Sequence, residues 1–157
     1  MKKGLDLKDP GVLLATWFGA GLLPRAPGTW GSLAALPVAW VIHGAFGWQG
    51  LALAAAVTFA VGIWAANRFM AKAGLGSDPA PVVIDEVAGQ WLTLLAVEPD
   101  MVLYGAGFVL FRAADIVKPW PVSWADRHVA GGLGIMLDDV LAGVYAALAL
   151  YALQIVL

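Results

Sequence analysis

The sequence predicts an all-α fold: a compact multihelical membrane-associated bundle with several transmembrane or re-entrant helices. Three observations lead there. Hydrophobic residues make up 61% of the 157-residue chain and charged residues 13%, against about 45–50% and about 25% in an ordinary globular chain. A domain of this size cannot bury that much apolar surface alone, so a second apolar environment is needed, lipid before a large oligomer interface. Between Arg25 and Arg68 there is no formal charge, and the stretch is broken only by His43. Finally, the basic residues segregate to one side of the helices that the hydropathy pattern defines.

Taken in order, Val12–Leu23 is apolar but short, and reads as an interfacial or re-entrant element. The charge-free stretch fits two crossings joined by the turn His43-Gly44-Ala45-Phe46-Gly47. The first is expected to begin near Ser32 and to kink at Pro37. The second runs from about Trp48 to Asn67. A loop follows over Ala73–Pro81, rich in Gly and Pro. Two shorter apolar runs, Val82–Val97 and Met101–Val117, flank the turn Glu98-Pro99-Asp100. Lys118–Gly134 reads as a second loop, and a last helix is expected from near Asp138 to Leu157. The whole chain, 1–157, reads as one domain.

With the long loops on one side, all nine basic residues fall there: Lys2, Lys3, Lys8, Arg25, Arg68, Lys72, Arg112, Lys118 and Arg127. The opposite turns carry Glu98 and Asp100. This positive-inside pattern makes the loop side cytoplasmic. The two middle helices strain the picture. Eleven residues separate Glu86 from Glu98; they rise about 16 Å, short of a hydrocarbon core about 30 Å thick. Charges at such depth face a bundle interior or a wet cavity, which points to a protein-lined polar site at the membrane surface.

Composition also excludes chemistry. A net charge of −2 gives no reason to expect a nucleic-acid partner. The chain has no cysteine, so disulfides, thiolate zinc sites and cysteine nucleophiles are ruled out. The polar start, Met1 to Pro10, lacks a cleavable signal pattern, so insertion is expected to rely on internal segments.

Four constellations remain. Asp85-Glu86 opens an apolar helix, and so does Asp138-Asp139. Each pair alone fits favourable placement of negative charge at a helix N-terminus. Two pairs on one side shift the reading toward a shared cation site, and oxygen-only donors favour Mg²⁺ over zinc. Arg112, Asp115 and Lys118 recur every three residues and could share a helical face. They are either a self-neutralising structural group or an anion-receiving pair with Asp115 joining the metal cluster. Arg25, Thr29 and Ser32 lie in a glycine-containing loop that leads into a helix, a place suited to phosphate or to an ordinary N-cap. Arg127 lies beside Asp126 and His128 in the second loop. His128 reads first as a surface residue, and His43 as structural or interfacial.

Taken together, Phe18–Pro37 (FGAGLLPRAPGTWGSLAALP), Val83–Leu94 (VIDEVAGQWLTL) and Phe111–Val144 (FRAADIVKPWPVSWADRHVAGGLGIMLDDVLAGV) resemble the phosphatidylglycerophosphatase A family. The resemblance implies a multihelical bacterial inner-membrane enzyme with its site on the cytoplasmic side. It would hydrolyse the terminal phosphate of phosphatidylglycerophosphate, giving phosphatidylglycerol and phosphate, with Mg²⁺ required. The expected catalytic residues are Asp85, Glu86, Asp139, Arg112 and Lys118. Asp85, Glu86, Asp138, Asp139 and Asp115 are the candidate metal ligands. Arg25, Thr29, Ser32, Arg112, Lys118 and Arg127 are the candidate phosphate contacts. Attack by water and attack by a carboxylate both stay open. The other class considered is a non-enzymatic membrane transport or assembly protein using an intramembrane carboxylate and basic cluster.

Overall fold

A computed structural model describes residues 6–74 and 79–157. Lys2, Lys3 and the loop residues Leu75–Asp78, all named above, lie outside the described residues. Among those described there are six α-helices, one short 3-10 turn and no strand.

Helix α1 (Pro10–Ala15) is capped by Asp9, whose side chain accepts from the Gly11 and Val12 N–H groups. Its last turn feeds a 3-10 turn, Ala20–Leu22. The expected interfacial element is therefore two short pieces laid over the bundle. The Val83 N–H donates to the Ala15 carbonyl at 2.8 Å. The same Asp9 receives Arg68 at 2.9 Å and Lys72 at 2.6 Å. Those two side chains hold its carboxyl well below the usual carboxylate range and tie the N-terminal pieces to the next helix.

Helix α2 (Pro27–Ala73) contains one residue with non-helical dihedrals, Gly47, at φ 67° and ψ −172°. Residues on either side of that break meet the same partner. A Cβ built on Gly31 would lie 2.7 Å from Val83, and one on Gly62 would lie 3.5 Å from Ile84. The two arms, 27–46 and 48–73, thus run side by side from Gly47, as the hairpin reading expects. The break falls at Gly47, the last residue of the expected turn and one that tolerates positive φ. One detail differs: the helix starts at Pro27 rather than near Ser32, because proline's fixed φ suits the first helical position.

Helix α3 (Ile84–Leu94) lies at the centre, packed on α2, on α4 (Met101–Val117) and on α6 (Gly131–Val156). Helix α4 is capped by Asp100, which accepts from Val102 and Leu103 at 2.9 Å each. The expected second loop contains a short helix, α5 (Val122–His128). Helix α6 begins at Gly131, seven residues before the expected start at Asp138. Its N-terminal glycines press against α2: the Gly132 N–H donates to Asn67 Oδ1 at 2.8 Å. The acidic pair of α6 is consequently well inside the helix and not at its N-terminus.

The tightest packing joins α3 to α6. A Cβ on Gly143 would fall 2.6 Å from the Gly89 carbonyl oxygen, and one on Gly89 2.5 Å from the Asp139 carbonyl oxygen. Glycine at both positions lets the two backbones approach closely. Trp91 adds an anchor by donating its indole N–H to the Ala35 carbonyl at 2.9 Å. At the far end, buried His43 contacts the Tyr104 hydroxyl at 3.3 Å and Glu98 at 3.7 Å, so the Gly47 break and the Glu98 turn share one end. His43, expected as structural or interfacial, is buried there.

Two helices, α2 and α6, are long and apolar enough to cross a membrane, with mean hydropathy 1.7 and 1.8. Their outward positions are apolar as well, including Val41, Leu53, Val57, Leu148 and Ile155, each more than half exposed. Helix α3, with 11 residues, rises only about 16 Å and does not span.

Candidate active site

A cavity of about 230 Å³ opens at the end of the bundle away from Glu98. Its charged lining is Asp85 and Glu86 from the first turn of α3, Arg112 and Asp115 from α4, Lys118 after α4, and Asp138 and Asp139 from α6. Ala26, Pro27 and Gly28 close it from the start of α2.

The five carboxylates divide into two groups. Asp85, Glu86 and Asp139 each offer an oxygen within 4.8 Å of the others. Asp85 and Asp139 are 6% and 3% exposed. Asp115 and Asp138 line the same cavity but are engaged by the cations: Arg112 donates to Asp115 at 2.5 Å, and Lys118 to Asp138 at 2.5 Å. Asp115 and Asp138, both expected as metal ligands, thus line the cavity paired with the basic side chains.

The α3–α6 contact explains how residues 54 positions apart meet. Gly89 and Gly143 bring the backbones together one turn below the acids, and each helix presents its carboxylate just above that contact. Glycine matters at position 28 too, where a Cβ would collide with Glu86 Oε1 and lie 3.0 Å from Arg112 Nη1. The missing side chain makes room for the Glu86–Arg112 pair, which are 3.7 Å apart.

The electrostatics are crowded. Burial pushes the Glu86 carboxyl up to about 7; a hydrogen bond with Asp85 opposes this and the charge of Asp115 adds to it. Glu86 Oε2 and Asp139 Oδ2 are buried without a hydrogen-bond partner. A buried acceptor left unmet costs about 1–3 kcal/mol, so oxygens that converge unmet fit a cation. Lys118 ends α4 in the left-handed backbone conformation, φ 49°, a common way for a helix to terminate. Burial disfavours its charge, but Asp126 at 2.7 Å and Asp138 outweigh it and raise its pKa.

Four of the six expected phosphate contacts do not line the cavity. Arg25 and Arg127 are exposed, and Arg127 Nε donates back to the Ser123 carbonyl at 2.9 Å. Thr29 is half-buried away from it, and buried Ser32 gives its hydroxyl proton to the Gly28 carbonyl at 2.9 Å. The start of α2 borders the cavity through Ala26, Pro27 and Gly28 instead. His128 is exposed, stacked on Trp124.

The phosphatidylglycerophosphatase A family model matches residues 13–154. The chain belongs to that family. It is 42% identical to phosphatidylglycerophosphatase A of Escherichia coli K12, over 96% of this chain and 87% of that protein. It is 37% identical to the phosphatidylglycerophosphatase A of Haemophilus influenzae Rd, over 97% and 93%. A Bacteroides thetaiotaomicron protein, named provisionally as a phosphatidylinositol-3-phosphatase, is 45% identical over 86% and 87%. No solved structure matches the chain.

Two polar residues were given no role from the sequence. Asp126 sits in the expected loop, where its spacing from Lys118 carries no signal until α5 folds it back. Gln90 is wholly buried on α3. A lone glutamine in an apolar run, Val87–Leu95, is itself a signal, and it went unused.

Proposed function

We propose that this chain is a divalent-cation-dependent lipid phosphatase, hydrolysing the terminal phosphate of phosphatidylglycerophosphate at the cytoplasmic face of a bacterial inner membrane. The observation that carries the reading is the cavity itself, where three carboxylates within 4.8 Å of one another share a wall with Arg112 and Lys118. Family membership favours this substrate.

Asp85, Glu86 and Asp139 are the residues that would hold the cation. Oxygen-only donors favour Mg²⁺. When bound, such an ion supplies Lewis-acid stabilisation of phosphoryl oxygens and lowers the pKa of a water molecule. The chain's own residues do the rest. Arg112 and Lys118 receive the remaining phosphate oxygens. Asp115 and Asp138 hold those two cations in place, and Asp126 gives Lys118 a second anchor. Hydrolysis passes the phosphoryl group to water; the P–O bond to glycerol breaks, and the departing oxygen takes up a proton. Positioning and charge stabilisation account for most of the rate in phosphoryl transfer.

The apolar outer positions of α2 and α6 support insertion in the bilayer, and the cavity lies at the end that carries Arg25, Arg68, Lys72 and Arg127. Positive-inside logic makes that end cytoplasmic, where a phosphorylated headgroup can reach the cavity while its acyl chains stay in lipid.

The test is phosphate release from phosphatidylglycerophosphate by purified protein, with and without a chelator, and with phosphatidylinositol 3-phosphate as the competing substrate. Chelator-sensitive release that favours the first lipid is expected. Preference for the phosphoinositide would overturn the substrate assignment, and no release from either would favour the transport or assembly class.

A further inference from the structure

One buried polar side chain takes no part in the site as described. Gln90 lies on α3 one helical turn past Glu86 and is 0% exposed. Neither its amide nitrogen nor its amide oxygen has a hydrogen-bond partner. Two buried hydroxyls nearby are satisfied: Thr93 Oγ1 donates to the Gly89 carbonyl and Ser32 Oγ to the Gly28 carbonyl, both at 2.9 Å. Withdrawing a carboxamide from water without partners is costly, and an apolar side chain of similar volume would fill the same space without that cost.

The unmet demand is not confined to Gln90. Glu86 Oε2 and Arg112 Nε are also buried and unmatched. Residues four apart on a helix lie on one face, so Gln90 stacks beneath Glu86. Glu86 Oε1 is the oxygen turned toward Gly28 and Arg112, which leaves Oε2 for another contact.

We propose that Gln90 is a positioning residue for Glu86: its amide N–H donates to the Glu86 carboxylate when Glu86 engages a divalent cation, fixing which oxygen faces the ion. This rests on the reading of Asp85, Glu86 and Asp139 as cation ligands. Metal-binding carboxylates are themselves held by hydrogen bonds, and losing such a partner costs about 10–100-fold in metal affinity or activity. A neutral amide suits this place. It orients the carboxylate without cancelling the charge that attracts the cation, as a lysine or arginine would.

The experiment uses the purified full-length protein and Mn²⁺ as probe, with free Mn²⁺ read by electron paramagnetic resonance. Gln90→Met is expected to bind Mn²⁺ about 10–100-fold more weakly. Its melting temperature should be unchanged or higher, and kcat should recover at saturating cation. Unchanged Mn²⁺ affinity in Gln90→Met, with wild type binding normally, overturns the role of Gln90 alone. Absence of Mn²⁺ binding by wild type overturns the cation reading as well. A second measurement needs no variant. The chain has three glutamines, Gln49, Gln90 and Gln154, and only Gln90 is buried. In ¹⁵N-glutamine-labelled wild type, adding Mg²⁺ should shift the side-chain amide signal of Gln90 and leave the other two in place. No shift at Gln90 overturns the proposal.

Discussion

Replacing Asp139 by asparagine should raise the stability of the cation-free protein while abolishing turnover. Asp139 lies within 4.8 Å of both Asp85 and Glu86. Above about pH 7, where the Glu86 carboxyl is ionised as well, two full charges at that separation repel by about 3 kcal/mol at an effective dielectric constant of about 20. Arg112 beside Glu86 and Lys118 beside Asp138 offset part of this, leaving a net relief of about 1–2 kcal/mol when one carboxylate becomes an amide. For a chain of this length about 1 kcal/mol moves the melting temperature by about 2–4 °C, so a rise of about 2–8 °C is expected in chelator. Saturating Mg²⁺ should reverse the order. A ligand at one hundred times its dissociation constant adds about 2.7 kcal/mol to the protein that binds it, and the Asp139→Asn variant has lost one of three ligands. Thermal unfolding of both proteins, in chelator and then in Mg²⁺, reads the two effects together. The reasoning is refuted if the variant melts lower than wild type in chelator and gains as much from Mg²⁺.

Other expectations follow from the same geometry. Lys118→Ala should mainly raise KM in steady-state kinetics, with kcat/KM falling about 10–100-fold, because a charge-assisted contact worth about 1.5–3 kcal/mol is lost. Gly143→Ala should cost about 1–3 kcal/mol through overpacking, since its Cβ would meet the Gly89 carbonyl at 2.6 Å; denaturant titration reads the stability. It should also reduce activity although it touches no substrate, because α3 and α6 could no longer bring their acids together. Asp9→Asn should loosen the N-terminal pieces from α2, read as faster amide exchange over residues 10–22. The Asp9 carboxyl is held low by Arg68 and Lys72, so its stabilisation is complete above the ordinary aspartate pKa of about 3.9. That contribution disappears as pH falls below this value toward the folded-state pKa, and the variant should show none of it.

The sequence-level reading was right at several places where local chemistry decides structure. Met101–Val117 is bounded by an Asp100 cap and a turn, both visible in the chain, and its limits match. The hairpin at Gly47 is marked by glycine. Helix starts were misplaced where the decisive partner is distant. Gly131 and Gly132 look like loop residues, yet Asn67 of another helix supplies the cap. Helix α5 is seven residues long and directly preceded by Pro119 and Pro121, and it packs against α6. The acidic pairs and the Arg112–Lys118 block were legible as residue types. Which carboxylate faces which partner was not, because helix rotation decides it. Arg25, Thr29, Ser32 and Arg127 were grouped by donor chemistry alone, and the backbone carries their side chains elsewhere. Gly28 and Gly89 matter for the side chains they lack, a contribution visible only once the neighbouring helix is in place.

The most direct measurement of the central claim is anomalous diffraction at the manganese edge from crystals of the protein grown with Mn²⁺. The account expects a manganese peak in contact with carboxylate oxygens of Asp85, Glu86 and Asp139, and none when Asp85 is changed to Asn. A well-ordered cavity with no peak there, or a peak held by other residues, would contradict it.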